Sequence, residues 1–160
     1  MNRIFALIFT FLFLLGCTKE YQTRKIEKVS INAFKIDRSS IRAIQVAAQN
    51  SVSYAGSNGA IGFTTNNGES WHTLHVKYQD TITPDFRSYA FNGIDYFALS
   101  IGNPALLYKI ANGEATLKYV EKDPKVFYDA LTFFDDNLHG IAVGDPTENC
   151  ASILVTSDGG

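Results

Sequence analysis

The sequence predicts an all-β protein assembled from repeats of one small antiparallel sheet. A turn-like pattern begins at positions 64, 110 and 156 of the 160-residue chain, so neighbouring copies start 46 residues apart. Short apolar runs of strand length fill each interval, separated by Asn-Gly, Asn-Pro and Asp-Pro turn pairs. Residues 40–160 show no helical periodicity. A fixed period of roughly 40–50 residues with one turn signature per unit is typical of a β-propeller.

Each unit is predicted to contribute one blade of four strands. In the first unit, Val52 and Tyr54 alternate with serines, which is the pattern of a half-buried strand. The strands are expected at 41–47, 51–56, 60–65, 70–76, 86–91, 95–101, 105–110, 115–121, 127–134, 139–144 and 151–156. A further outer strand, of a preceding or closing blade, is expected over 26–36.

Glycines upstream of the pattern suggest a shared register. Gly56 and Gly102 each lie eight residues before their copy, whereas Gly144 lies 12 residues before Thr156. We therefore expect Gly56 and Gly102 to be equivalent, and the third unit to carry four extra residues in a loop.

The repeated pattern, at 64–71, 110–117 and 156–160, has the chemistry of a hydrogen-bonded turn. Its third position holds a short side-chain carbonyl, which can accept hydrogen bonds from backbone N–H groups two or three residues on. Glycines next to it permit positive φ. A hydroxyl can hydrogen-bond to the returning strand, and the tryptophan side chain can pack against the turn. The residues assigned to these turns are Asn66, Gly68, Ser70, Trp71, Asn112, Gly113, Thr116, Asp158, Gly159 and Gly160.

With these residues the chain resembles the Asp-box hairpin, Ser/Thr-x-Asp-x-Gly-x-Thr-Trp, of bacterial neuraminidase repeats. It is most similar to photosystem II assembly-factor-like propellers, because the box follows a Phe86-Arg87 strand and a Gly56–Gly59 segment. The resemblance covers residues 40–160. It implies that the boxes are structural hairpins away from the substrate face, with no catalytic role for Asp158 or Ser70. The second copy departs from the pattern at Ile110, Glu114 and Leu117, so we expect a weaker turn there.

Function is therefore expected on the face opposite the boxes. Arg42, Arg87 and Asp129 occupy corresponding places in the three units and are the candidate binding residues. The resemblance implies a patch of arginines at this strand position, and Asp129 interrupts the series. Two interpretations stay open: a binding patch, and a ring of ion pairs that locks adjacent blades.

The N-terminus has the features of an export signal. Arg3 precedes an apolar run from Ile4 to Leu15, which is too short to span a bilayer but suits a signal peptide. The run ends in Leu14-Leu15-Gly16-Cys17, which resembles a bacterial lipobox and implies lipidation of Cys17. The alternative is an ordinary secretory signal with an incidental cysteine. The expected organisation is signal peptide 1–16, lipidated cysteine and polar tether 17–28, and partial propeller 29–160.

The length of the chain corresponds to about three blades, whereas a closed ring of this type is expected to have about six to eight. We therefore expect an N-terminal part of a longer protein, or a truncated reading frame. An open arc of three blades would expose a sheet face and unpaired edges, which favours partner pairing or aggregation and predicts marginal stability.

Composition and motifs exclude several function classes. The net charge of −2 and the lack of a basic patch argue against nucleic-acid binding. No cofactor motif, zinc-ligand spacing or catalytic triad is present, and calcium binding at Asp135-Asp136-Asn137 is the alternative to a plain polar hairpin tip. The favoured hypothesis is a non-catalytic propeller, lipid-anchored in a bacterial envelope and most simply at the outer membrane, that binds a protein partner as an assembly or scaffold factor. The alternative is a glycan-active, sialidase-like propeller with catalytic residues in further blades.

Overall fold

The computed structural model describes residues 23–31, 33–36 and 38–160. The chain divides into two compact units, and the first ends at Ile31. In the first unit, residues 23–31 form neither helix nor strand. The predicted signal segment, Cys17 and the start of the tether lie outside the described residues. Within the part of the chain that is described, no helix is long and apolar enough to cross a bilayer.

Three antiparallel sheets make up the second unit, and each is formed by consecutive strands. We call them blade 1, blade 2 and blade 3. Blade 1 contains β1 (Ile41–Ala48), β2 (Ser51–Gly56), β3 (Ala60–Thr64) and β4 (His72–His75). Blade 2 contains β5 (Phe86–Phe91), β6 (Tyr96–Ser100), β7 (Ala105–Ala111) and β8 (Glu114–Glu121). Blade 3 contains β9 (Tyr128–Phe133), β10 (Gly140–Thr147) and β11 (Cys150–Thr156). The predicted all-β fold of antiparallel blades is confirmed.

The pairing register places the three copies of the turn pattern at equivalent positions. Thr64 pairs with Val52, Ile110 with Tyr96 and Thr156 with Gly140. The third strands therefore keep the spacing of 46 residues that the sequence predicted. The second strands are spaced by only 44, from position 52 to 96 to 140. Each later unit thus gains two residues between its second and third strands.

This difference corrects the expected glycine register. Gly56 pairs with Ile41, and the residue in the same place in blade 2 is Ser100, paired with Phe86. Gly102 lies two residues further on, in the widened connection. In blade 3 the extra residues extend the hairpin instead of forming a loop, because β10 continues to Thr147 and turns through Glu148 and Asn149, both at positive φ.

The strand expected over 26–36 is absent, since residues 26–31 and 33–36 adopt no strand. A strand exists through the ladder hydrogen bonds that it makes with a neighbour, and no described strand pairs with this stretch. Phe34 instead stacks on Trp71, with ring centroids 5.2 Å apart and an interplanar angle of 14°. The apolar residues Ile26, Val29 and Ile31 are exposed, so the apolar pattern led to a wrong prediction of a strand here.

The core lies between the blades, which stack face to face. One buried cluster joins blades 1 and 2 through residues such as Ile61, Phe86 and Tyr108. A second cluster joins blades 2 and 3 through Leu99, Tyr128 and neighbouring residues. The first strands lie side by side, because β1 contacts β5 and β5 contacts β9. Residues at the same place on these strands are thereby brought together.

Candidate functional site

A β-bulge interrupts the first strand of every blade at the same place. The register skips one residue between Ile41 and Ala43, between Phe86 and Ser88, and between Tyr128 and Ala130. A bulge leaves one residue unpaired and redirects its side chain, and bulges are frequent beside functional sites. The three skipped residues are Arg42, Arg87 and Asp129. These are the three candidate binding residues that the sequence analysis selected, and we call them the bulge cluster.

The bulge cluster lines one open concavity of about 410 Å³. Arg87 Nε lies 2.9 Å from Asp129 Oδ1, so an ion pair links blade 2 to blade 3. The two side chains are 43% and 38% exposed, and a pair in such contact with water contributes at most about 1 kcal/mol. The guanidinium of Arg87 also lies over the ring of Phe127, with Cζ 5.6 Å from the centroid.

The ion-pair interpretation explains only part of the bulge cluster. Ion pairing between blades accounts for Arg87 and Asp129. It does not account for Arg42, which is exposed and makes no salt bridge with any described residue. The cluster therefore has a net charge of +1, and within the described part of the chain one of its arginines has no acidic partner.

A serine beside the cluster was missed by the sequence analysis. Ser88 Oγ accepts a hydrogen bond from Leu131 N at 2.8 Å and so connects the first strands of blades 2 and 3. Blades 1 and 3 have Ala43 and Ala130 in this place. Because the hydroxyl occurs in one blade, the repeat contains no periodic signal that would have revealed it.

The first turn copy forms a network around Thr64 and Asn66. Thr64 Oγ1 donates to Asn66 Oδ1 at 2.9 Å and accepts from Gly68 N at 3.0 Å. Asn66 Oδ1 also accepts from Ser70 N at 3.0 Å, and Asn66 Nδ2 donates to Ser70 Oγ at 2.9 Å. Trp71 lies between Phe34 and Tyr54. The Thr64 and Ser70 hydroxyls and the Asn66 amide thus hydrogen-bond to one another and to the backbone within the turn and hold it.

The third copy repeats the arrangement with aspartate. Thr156 Oγ1 donates to Asp158 Oδ1 at 2.7 Å, and Gly160 N donates to Thr156 Oγ1 at 3.1 Å. The hydrogen bond from Thr156, followed by that from the Gly160 backbone, holds the pKa of Asp158 below its ordinary value. Asn92 Nδ2 donates to Gly159 O at 2.9 Å, which ties this turn to blade 2.

The second copy does not form such a network, which corrects the sequence analysis. Asn112 and Gly113 have φ of 52° and 81°, and Ala111 pairs with Glu114, so the turn is a two-residue hairpin of the I′ kind. Thr116 lies in β8, paired with Lys109. The physical reason is Ile110, which provides no hydroxyl at the position where Thr64 and Thr156 organise their turns.

The acidic tip at Asp135-Asp136-Asn137 is engaged in its own turn. Asp136 Oδ1 accepts from the backbone N–H groups of His139 and Leu138, and Oδ2 lies 2.5 Å from His139 Nδ1. The backbone bond from His139, then its side chain, lowers the pKa of Asp136 to about 2. Among the described residues, no cluster of histidine, cysteine or carboxylate side chains could hold a metal ion.

Comparison with known proteins establishes the fold. No protein-family model and no curated protein matches the chain. A solved structure described as YCF48 bound to D1 peptide is similar, with a TM-score of 0.58 and 15% identity over 76% of this chain. The WD40 beta propeller domain of Doa1 is also similar, with a TM-score of 0.55 and 14% identity over 79% of this chain. The architecture is that of a β-propeller, as predicted. The chain spans 38% and 40% of those two chains.

Proposed function

We propose that this chain is a non-catalytic propeller segment that binds an acidic, extended stretch of a protein partner at the bulge cluster and acts as an assembly or scaffold factor. The observation that carries the proposal is the convergence of Arg42, Arg87 and Asp129 on one open concavity with Arg42 unpaired among the described residues. An arginine fork binds carboxylates through two parallel hydrogen bonds, which gives both affinity and orientation.

The cluster suits an extended peptide better than a small ligand. Its residues come from three adjacent strands, so the charges are spread along a row, and the concavity is open to solvent. Small-molecule sites are usually enclosed and mostly apolar. One of the similar solved structures reported above has a peptide bound, which supports peptide binding as a use of this architecture.

We further propose that the protein is tethered to a bacterial envelope membrane through Cys17. The support is the sequence Leu14-Leu15-Gly16-Cys17 after a short apolar run. Several acyl chains on one cysteine give stable anchoring, whereas a single chain gives only marginal binding. Mass analysis of the mature N-terminus tests the anchor, and an unmodified Cys17 would remove it.

Charge reversal at Arg42 tests the binding proposal. The full chain is titrated with fluorescent extended peptides that contain aspartates, and with matched peptides in which asparagine replaces each aspartate. We expect the acidic peptides to bind in preference, and Arg42→Glu to weaken that binding about tenfold or more, since a charge-assisted bond becomes a repulsion. Arg42 has no ion pair among the described residues, so the thermal melt should change little.

The matched control is Lys118→Glu, the same charge reversal at an exposed position of the outer strand β8. It should leave peptide binding unchanged. Equal binding by Arg42→Glu and the unmodified chain would contradict the proposal. A glycan array run in parallel tests the alternative function, a glycan-active propeller. Binding or cleavage of sialylated glycans without peptide binding would favour that alternative.

A further inference from the structure

Asparagine is followed by glycine at four places in the chain, and each pair lies in a connection between two strands. The pairs begin at Asn58, Asn67, Asn92 and Asn112. Such a pair can react with itself, because the backbone nitrogen of the glycine can attack the side-chain amide carbon of the asparagine. Glycine has no Cβ to obstruct the approach. The reaction requires a glycine N–H without a hydrogen-bond partner and an asparagine side chain that is free to turn towards it.

Hydrogen bonds from the glycine N–H restrain the first two pairs. Gly59 N donates to Pro84 O at 2.7 Å, and Gly68 N donates to Thr64 Oγ1 at 3.0 Å. Each attacking nitrogen is therefore directed towards an acceptor elsewhere in the fold. Because a donor that loses its partner in a folded structure costs free energy, both nitrogens are held away from the neighbouring amide.

The pair at Asn92 is restrained through its side chain. Asn92 is 4% exposed, and its Oδ1 accepts hydrogen bonds from the backbone N–H groups of Ile94 and Asp95. Its Nδ2 donates to Gly159 O at 2.9 Å. A buried amide that is hydrogen-bonded at both ends keeps its rotamer, because turning it leaves these partners unsatisfied. The side chain therefore cannot approach Gly93 N without breaking these bonds.

The pair at Asn112 has neither restraint. Ala111 pairs with Glu114 across the two-residue turn, so Asn112 and Gly113 lie outside the ladder of β7 and β8. Asn112 is exposed, and within the described part of the chain no hydrogen bond engages its side chain or the N–H of Gly113. The tip of an exposed hairpin also opens locally at a small cost in free energy. The two reacting groups are therefore free to meet at this pair.

We propose that Asn112 is a site of spontaneous modification, at which the chain deamidates through a cyclic imide. The backbone nitrogen of Gly113 forms a bond to Asn112 Cγ, and the side-chain amide group leaves as ammonia with the proton of that nitrogen. Water then opens the ring, because its hydroxyl adds to one ring carbonyl carbon while its other proton goes to the ring nitrogen as their bond breaks. Opening at Cγ gives aspartate, whereas opening at the main-chain carbonyl gives isoaspartate, in which the chain continues through Cγ.

The two products differ in their effect on the hairpin. Asp-Gly is a regular sequence of the I′ turn, so aspartate at this position keeps the turn. Isoaspartate adds a carbon atom to the backbone of a two-residue turn whose φ values are 52° and 81°, and the pairing of Ala111 with Glu114 is lost. Gly113 and Glu114 also line an open groove of about 430 Å³ together with residues of β4, so the shape of that groove changes with the modification.

Peptide mapping of the aged chain tests the site. The full chain in mild detergent is incubated at mildly alkaline pH in water enriched in heavy oxygen, and is then exchanged into ordinary water before digestion. Only residues that react during the incubation then carry the label. We expect labelled aspartate and isoaspartate at residue 112, formed about fivefold or more faster than at any of the other three asparagines. Equal rates at the four pairs, or no labelled product at residue 112, would overturn the proposal.

A variant of the pair itself verifies the assignment. Asn112→Gly removes the reacting amide, and the I′ turn accepts the resulting Gly-Gly sequence. The label should disappear from this hairpin and stay unchanged at the other three asparagines. Label that persisted in the hairpin of the variant would place the reaction at another residue and contradict the proposal.

A second variant tests whether hydrogen bonding explains the choice of site. Thr64→Val removes the acceptor of Gly68 N, so Asn67 should react about fivefold or more faster. Thr65→Val keeps that acceptor and should leave the rate at Asn67 unchanged. Unchanged rates at the pairs that begin at Asn58 and Asn92 show that the variant is folded. An equally slow reaction of Asn67 in both variants would overturn the account of why residue 112 is selected.

The modification is independent of the proposed peptide binding. Asn112 does not belong to the bulge cluster and does not line its concavity. Peptide binding measured on Asn112→Gly should equal that of the unmodified chain, so the failure of either proposal leaves the other to be judged by its own experiment.

Discussion

Replacing Phe86 with alanine is expected to lower the free energy of unfolding by about 3–5 kcal/mol. Phe86 is fully buried at the start of β5, in the cluster between blades 1 and 2. Its ring meets Tyr108 edge-on, with centroids 6.1 Å apart and an interplanar angle of 87°, a geometry worth about 0.5–1.5 kcal/mol beyond the buried area. Truncation leaves a cavity at a junction where two sheets stack. Urea unfolding followed by circular dichroism gives the change.

The matched control for this variant is Phe134→Ala. Phe134 is 55% exposed and lies just after β9, so the same chemical change should cost about 1 kcal/mol or less. If the two variants lost equal stability, stacking of blades 1 and 2 through this cluster would not be what holds the arc together.

Thr64→Val should destabilise the protein by about 1–3 kcal/mol, although the two side chains have nearly the same shape. Thr64 is 2% exposed, and its hydroxyl donates to Asn66 and accepts from the Gly68 amide. The hydroxyl also accepts a longer bond from Asn66 N at 3.3 Å. Valine keeps the β-branched side chain and removes all three bonds, so the backbone N–H groups of Gly68 and Asn66 lose their partner within the turn. The loss is measured in the same urea experiment.

Thr65→Val provides the control, because Thr65 is exposed and lies one residue further on. It should change stability by no more than about 0.5 kcal/mol. A result in which Thr65→Val cost as much as Thr64→Val would show that the hydroxyl network does not stabilise the turn.

Much of the fold could be predicted because the repeat and the strand pattern arise from local chemistry. Val52 and Tyr54 alternate with serines, and β2 is found over Ser51–Gly56 as expected. The residues around Thr64 and Thr156 form similar networks because each has a hydroxyl two positions before a side-chain carbonyl. Such interactions depend on few neighbours, so the sequence reveals them.

Features that depend on pairing were harder to predict. Ile26 and Val29 have the composition of a strand, but pairing requires a partner that the local sequence does not specify. Gly102 keeps the expected spacing and is still not equivalent to Gly56, because a widened connection compensates for the shorter spacing of the second strands. At Asn112 a tight hairpin forms where the larger turn was predicted, because Ile110 provides no hydroxyl.

The bulge cluster could be predicted only in part. Its three residues were selected because they occupy corresponding places in the repeat, and the structure brings them to one concavity. The bulges themselves could not be foreseen, since a skipped residue is visible only in the register of the partner strand. The contact of Arg87 with the ring of Phe127 was also missed, because it is visible only in the folded arrangement of the strands.

Cross-strand nuclear Overhauser contacts in the isotope-labelled chain test the repeated-blade architecture most directly. The predicted contacts join Val52 to Thr64, Tyr96 to Ile110 and Gly140 to Thr156, one pair within each blade. All three should appear, and all ladder contacts should join strands that are consecutive in sequence. Ladder contacts between strands of different blades, or helical contacts within residues 40–160, would contradict the architecture and the bulge cluster with it.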